Sequence, residues 1–334
     1  MRGEHRRHIV CFGEVLVDFL AQPLPSPDAP RAFLQFAGGA PANVAVAVAR
    51  LGGQSEFLGM TGADMFGDFL VESLERAGVE TRGIRRTTDA RTALAFVALD
   101  ADGERSFSFY RPPAADLLYR SEHFPADVFA RASALHVCSN SLTETAIAAT
   151  TQHAIASARR DGALVSFDMN LRPALWSPQV DPLPRLWEVL SCADIVKLAR
   201  TELEFLAAGE GEAAVLRRLW TGSTRLIVIT DGAADIRWYT SQRQGQLDTF
   251  RLRALDTTAA GDAFVGGMLY HLAEQGVDAA GLAEFLSGTT AVEQTLRFAA
   301  AVGGLTVTRH GAFAAMPALA DVTQLIEGRY AHTA

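Results

Sequence analysis

Short apolar runs with β character take turns with helical stretches along nearly the whole chain, and this alternation limits the possible folds more than any other feature. Strands are expected at residues 8–20, 32–36, 56–60, 93–99, 105–110, 134–138, 164–168, 195–198 and 225–230. Helices are expected at 42–51, 65–77, 144–160, 184–191, 201–208 and from 261 onward, with a short hairpin near 236–250 and a turn in the Pro-rich piece 23–30. A strand followed by a helix and then another strand builds a parallel sheet covered on both faces, because each crossover lays its helix across the sheet. The β-rich pieces 93–99 and 105–110, joined at Asp102-Gly103, break that pattern and predict a hairpin. Together with the first strands they predict a small β-lid, contributed by segments 12–37 and 92–111, inserted into one α/β body that spans 1–334. In an open sheet of this kind ligands sit beyond the carboxyl ends of the strands, so residues just after a strand are the candidates for function.

Bulk properties narrow the partners. With 334 residues and 49% hydrophobic content the chain can bury a core without covalent staples. Cys11, Cys138 and Cys192 form no Cys-x-x-Cys pair and the eight histidines no His-x-x-x-His pair, so neither a disulfide framework nor a zinc site is indicated. The net charge is −8 and no block of basic residues resembles a nucleic-acid or membrane footprint; a small-molecule partner is expected. No apolar run approaches the roughly 18 residues of a membrane span. The first apolar stretch is interrupted by Glu14 and Asp18, unlike a signal-peptide core, so a cytoplasmic location is expected. Lys197 is the only lysine.

Chemistry concentrates in Asp256-Thr257-Thr258-Ala259-Ala260-Gly261-Asp262-Ala263-Phe264. Small residues crowd a turn that leads into an apolar helix. A helix start offers unpaired N–H groups and the positive end of the dipole, and residues without bulk let a phosphate come close. Phosphoryl transfer needs developing charge stabilised and the attacking hydroxyl relieved of its proton. Asp262 can take that proton, or it can simply cap the helix. Far upstream, Gly38-Gly39-Ala40-Pro41 opens an Ala- and Val-rich helix in which Asn43 is a lone polar residue; buried, it needs either a ligand or a backbone partner.

These two segments resemble the signatures of the pfkB (ribokinase-like) family of carbohydrate kinases, the first being similar to Asp-Thr-x-Gly-Ala-Gly-Asp with Ala259 in place of the usual Gly. The resemblance implies a three-layer α/β/α body with a mainly parallel sheet and a β-lid. It also implies Asp262 as catalytic base and the N–H groups of Ala259, Ala260, Gly261 and Asp262 as the γ-phosphate site. Gly38, Gly39, Asn43 and Asp18 then face the sugar. Phe167-Asp168-Met169-Asn170-Leu171-Arg172 is similar to a family stretch whose counterparts of Asn170 and Arg172 contact sugar or phosphate; Arg172 could instead form a surface ion pair. Lys197-Leu198-Ala199-Arg200-Thr201-Glu202 is similar to an element whose Glu orients magnesium-bound water, here Glu202, with Glu204 nearby and a helix-surface role as the alternative for both; Ala199 departs from the family's Asn. Lys197, Thr230 and Gly232 fall in segments that resemble those lining the nucleotide, and Ala300 stands where relatives carry a polar residue near adenine. Asp256, Thr258, Thr306, Arg309 and Gly311 fall in segments resembling a site that encloses a monovalent cation, potassium by expectation, mainly with backbone carbonyls.

Within the family, the lid segment with Phe109 and Arg111 looks most like that of bacterial fructokinases. A 2-keto-3-deoxygluconate kinase is the nearest competitor, because Arg111 could grip a sugar carboxylate; it could equally fix the hairpin. A sensor that binds sugar without turnover is the alternative from another class. ATP, Mg2+ and K+ are the expected cofactors, and the apolar lid strands predict a homodimer through the lid.

Overall fold

The computed structural model describes residues 8–22, 30–99, 105–111 and 113–329. The chain opens with β1 (His8–Phe12), crosses into a small sheet for β2 (Leu16–Ala21) and β3 (Phe33–Gly38), and returns through α1 (Ala40–Arg50) to β4 (Gln54–Gly62). After α2 (Met65–Arg76) and β5 (Ile84–Thr87), β6 (Leu94–Leu99) and β7 (Arg105–Tyr110) complete the small sheet. The body continues with β8 (Ala132–Cys138), α3 (Thr145–Arg160), β9 (Leu164–Asp168), α4 (Leu183–Leu190), β10 (Ile195–Ala199), α5 (Arg200–Ala207), α6 (Glu212–Trp220) and β11 (Leu226–Thr230). A hairpin of β12 (Ile236–Tyr239) and β13 (Gln244–Leu247) precedes α7 (Ala260–Glu274), α8 (Leu282–Phe285), α9 (Thr289–Thr306) and α10 (Leu319–Ile326).

The large sheet runs β13-β12-β11-β10-β9-β8-β1-β4-β5, parallel from β11 to β5 and antiparallel at the β12–β13 edge. The small sheet, β3-β2-β6-β7, is the lid. Successive strand residues point to opposite faces, and the core divides accordingly. Ile9, Cys11, Ile195, Leu226 and Val228 pack with α1, α7 and α9, whereas Val10, Phe12, Val196, Leu198, Ile227 and Ile229 pack with α3, α4, α5 and α6. Both faces being covered, these strands carry continuous apolar runs rather than alternation.

Several expectations are corrected. Residues 8–20 do not form one strand: the chain leaves the main sheet at Gly13, where a side chain would collide with Pro41 (2.7 Å to Cγ), and resumes as β2 in the lid. Asp18 therefore sits within a lid strand instead of ending the first body strand. Strand β5 and helix α6 lay outside the expected elements, and α7 begins at Ala260, so Asp262 belongs to its first turn. The turn expected at Asp102-Gly103 and most of the Pro-rich piece lie outside the described residues.

Helix α7 is buried almost all round and relies on small residues to fit. A Cβ on Gly266 would come within 2.5 Å of the Ala47 Cβ and 3.0 Å of the Val44 carbonyl oxygen on α1. One on Gly267 would meet Val302 on α9 at 2.8 Å. Gly266→Val should therefore wedge α1 from α7 and cost about 1–3 kcal/mol, the usual range for overpacking, measurable as a lowered urea midpoint with an unchanged slope.

Candidate active site

Helix α7 is entered through Ala259, which is left-handed at φ 61. An alanine there costs about 1 kcal/mol relative to glycine, which explains physically why glycine suits the position. The first regular bond of the helix runs from the Ala263 N–H to the Ala259 oxygen (2.8 Å), so the N–H groups of Gly261 and Asp262 precede the ladder and lack helical acceptors. A Cβ on Gly261 would stand 3.0 Å from the Lys197 ammonium, so the turn has a cation beneath it.

Across from this turn, α1 starts at a close crossing. Gly39 has φ 112, and a side chain on it would strike the Glu14 oxygen (2.5 Å) and the Val15 Cα (2.8 Å); one on Gly38 would overlap the Asp18 carboxylate. Asn43, one turn into α1, donates from Nδ2 to Asp262 Oδ2 at 2.7 Å. Asn170, left-handed at φ 39 after β9, donates to Asp262 Oδ1 over a longer 3.5 Å. The Asp262 side chain thus bonds to other elements and does not cap its helix; the cap position is Ala259. Burial and the neighbouring Asp168 push its carboxyl up to about 7, against the opposing pull of the Asn43 hydrogen bond, Arg172 and Lys197. That value suits a base working near neutral pH.

Asp262 lies between two clefts. One, of about 860 Å³, is lined by Asp18, Gly39, Asn43, Phe109, Asn170 and Arg172 together with Asp262 and Ala259. The other, of about 310 Å³, is lined by Thr230, Gly232, Phe250, Gly261, Ala300 and Gly303. Thr257 borders both, so the 257–262 turn is their shared wall.

Other expected residues stand elsewhere. Arg111 does not line the larger cleft: it is 1% exposed and its Nε and Nη2 grip Asp116 at 2.8 and 2.6 Å, which fixes the base of the lid hairpin. Lys197 and Glu202 line neither cleft and lie buried behind the turn. Lys197 pairs with Asp168 at 3.1 Å, and Glu202 accepts the N–H groups of Leu171 and Ala199, both at 2.7 Å. Glu204 pairs with Arg200 on the surface of α5. Arg172 is exposed and makes no ion pair among the described residues. Asp256 ties two turns together, accepting from Thr258 N (2.8 Å) and Gly311 N (3.0 Å). The side chains of Thr306 and Arg309 are engaged away from it, with Val302 O and Asp321.

Three polar residues of the site were not singled out from sequence. Glu14 and Asn140 line the larger cleft, and Asp168 stands beside Lys197 with its Oδ1 buried and without a hydrogen-bond partner among the described residues. Asn140 and Asp168 sit at or just after the carboxyl ends of β8 and β9, a signal the sequence did carry.

Two clefts on either side of one helix start, with a carboxylate facing the larger, are an arrangement suited to group transfer, and the chain belongs to the pfkB family of carbohydrate kinases, whose family model matches residues 6–319. Fructokinase-1 of Zea mays is 39% identical over 325 residues, covering 96% of this chain and 98% of its own length. The crystal structure of Xylella fastidiosa fructokinase with bound ATP superposes with a TM-score of 0.93 at 55% identity, over 97% of this chain and 99% of that one. Vibrio cholerae O395 fructokinase, solved with fructose, ADP and calcium ion, gives 0.82 at 32% identity over 96% and 99%.

The raised Asp262 carboxyl carries a stability cost. Its folded value of about 7 lies above the ordinary 3.8, so the penalty is absent below pH 3.8, grows as pH rises between the two values and is complete above about 7. Asp262→Asn should thus unfold at a higher temperature than the unsubstituted protein at pH 8, with the difference vanishing near pH 4, as calorimetry across pH would record.

Proposed function

We propose that the protein is an ATP-dependent fructokinase that transfers the γ-phosphoryl group of ATP to the C6 hydroxyl of fructose. One observation carries this reading: Asp262, its carboxyl pushed up to about 7 by burial, faces the larger cleft at a helix start that borders the smaller one through Ala260 and Gly261. The fructokinase names of the relatives and structural neighbours point to the same sugar.

The sugar occupies the larger cleft beneath the lid, against Asp18, Gly39, Asn43 and Phe109. Oδ2 of Asp262 is held by Asn43, which leaves Oδ1, with only the long Asn170 contact, to accept the C6 hydroxyl proton. The sugar oxygen bonds to the γ-phosphorus as the bond from that phosphorus to the β,γ-bridging oxygen breaks, and ADP departs with the electron pair. The amides of Gly261 and Asp262 and the Lys197 ammonium stabilise the charge that gathers on the phosphoryl oxygens. The lid excludes water that would otherwise take the phosphoryl group.

Magnesium fits a carboxylate oxygen beside the turn: Asp168 Oδ1 is buried without a partner among the described residues and would hold the ion through water, with Glu202, its oxygens engaged by two main-chain amides, adding negative charge from behind. When bound, it neutralises charge on the β- and γ-phosphates. Potassium fits the turns tied by Asp256, whose donors are a carboxylate and main-chain oxygens; Asp256 and the carbonyls near Thr258 and Gly311 would hold it. With the Arg111 charge committed to Asp116, and Glu14 and Asp18 in the cleft lining set against the single cation Arg172, a neutral sugar suits the site better than an acid sugar.

Incubation with Mg-ATP and a panel of sugars tests the assignment. Fructose should give fructose 6-phosphate and ADP, 2-keto-3-deoxygluconate little product, potassium should raise the rate over sodium, and Asp262→Asn should lose about 10²–10⁴-fold in kcat. Thermal stabilisation by a sugar with no ADP release would instead leave a sugar-binding sensor.

The outer face of the lid carries an aromatic chain: Phe96 packs with Phe19, Phe33 and Tyr110, and Phe19 with Phe66. Phe33 and Tyr110 are 39% and 67% exposed, an apolar patch that suits a second lid in a cytoplasmic homodimer. Light scattering should report twice the chain mass at micromolar concentration, and Tyr110→Asp should shift it to one.

A further inference from the structure

The smaller cleft is chemically bare. Among the described residues its wall carries no charged side chain and no side-chain amide, and its polar side chains are those of Thr230, Thr249 and Thr257. Thr257 belongs to the turn that opens α7 and borders both clefts, so it stands at the phosphate end. Thr249 donates its hydroxyl to the Ala233 oxygen at 2.7 Å. The rest of the wall is apolar or glycine, Ile236, Phe250 and Leu252 included.

A triphosphate held at the turn before Asp262 fixes one end of the donor, so the base lies toward the other, where the 249–254 segment faces α9. Gly303 and Gly304 make that passage narrow: a Cβ on the first would come within 2.9 Å of the Ala260 oxygen, and one on the second within 3.2 Å of the Leu252 Cδ1. Arg297, also on α9, does not line the cleft, but its guanidinium lies 5.1 Å from the centre of the Phe250 ring. A cation over an aromatic face is attracted by the ring quadrupole, which steadies Phe250 in the cleft wall. What the wall offers a base is therefore flat apolar surface, and stacking is available to every base because every base has a π-face.

Telling one purine from another needs groups of fixed role. Adenine presents a donor at C6 where guanine presents an acceptor, and guanine adds an amino group at C2. A carboxylate or a guanidinium would accept one edge and reject the other, whereas a threonine hydroxyl donates or accepts as it turns and separates neither. Apolar contact discriminates by only about 10–200-fold, against about 10⁴–10⁵-fold for a site built to hydrogen-bond its substrate.

We propose that the donor site is tolerant of the base: it recognises a purine nucleoside triphosphate by its phosphates and by stacking on Phe250, and it accepts GTP and ITP beside ATP. The proposal rests on the sugar-kinase reading of the two clefts and adds to it the class of phosphoryl donor.

Initial rates at saturating fructose with each magnesium nucleotide varied test it. The kcat/KM values for GTP and ITP should lie within about thirtyfold of the ATP value. Phe250→Ala should raise the KM for ATP, GTP and ITP together, each about tenfold, because stacking is lost equally from every purine, and should leave the fructose KM within about twofold. Phe250→Leu, which keeps apolar bulk without the aromatic face, takes its place if the alanine variant does not fold, with a common rise of about fivefold expected. A loss of more than about thirtyfold with either GTP or ITP would overturn the proposal, and would mean that the main chain of 249–254 reads the base edge. So would an ATP KM that stays within about twofold of the unsubstituted value in the Phe250 variant, or a rise confined to one nucleotide. If the protein phosphorylates no sugar, the fructokinase assignment fails on its own; competition of GTP and ITP with a fluorescent ATP analogue for the protein then decides base tolerance by the same limit of about thirtyfold.

Discussion

The hydrogen bond between Asn43 and Asp262 joins two helices that are 219 residues apart in the chain, and the site exists only because those helices approach closely. Gly266 and Ala47 allow that approach, and α9 presses α7 from the other side through Gly267 and Val302. Packing of small residues therefore sets the surroundings of Asp262. The same contact fixes which oxygen of Asp262 is held and which is available, and it moderates a carboxyl that burial alone would drive further from its ordinary value.

Around this contact the charges are arranged in depth. Asp168, Lys197, Glu202 and Asp262 are all buried, and the single cation among them lies beneath the 257–262 turn. Burying charges is unfavourable unless each is paired or hydrogen-bonded. Lys197 meets Asp168, and Glu202 is satisfied by two main-chain amides, so its first task is structural: it holds the start of α5 to the loop after β9. That loop carries Asn170 and Arg172, which ties the position of the cleft's polar wall to the helix that follows the next strand.

Much of this was legible in the sequence. Helical and strand periods placed the parallel body, and the Gly-Asp and Gly-Gly segments marked the two sides of the site, since small residues before a helix have a direct physical meaning. What escaped did so for identifiable reasons. The break at Gly13 was hidden because β1 and β2 are both apolar, so no change of period marks the crossing from one sheet to another. Helix α6 is short, and its buried face is only Val215 and Leu219, one turn apart, too little periodicity to stand out in sequence. Arg111 was ambiguous because a charge does not announce its partner; Asp116, only five residues on, removes it from the cleft. Glu14 and Asn140 meet only in the fold, through a hydrogen bond between residues 126 apart in the chain.

The solitary lysine has a chemical corollary. Because every other cationic side chain apart from histidine is an arginine, the protein carries one ε-amine, and it lies under the 257–262 turn. Acylation or carbamylation of lysine in this molecule can occur at that nitrogen alone, with no surface decoys to absorb reagent. Neutralising it would leave three neighbouring carboxylates, Asp168, Glu202 and Asp262, without their shared counter-ion, so one adduct per chain would recast the electrostatics of the whole cluster.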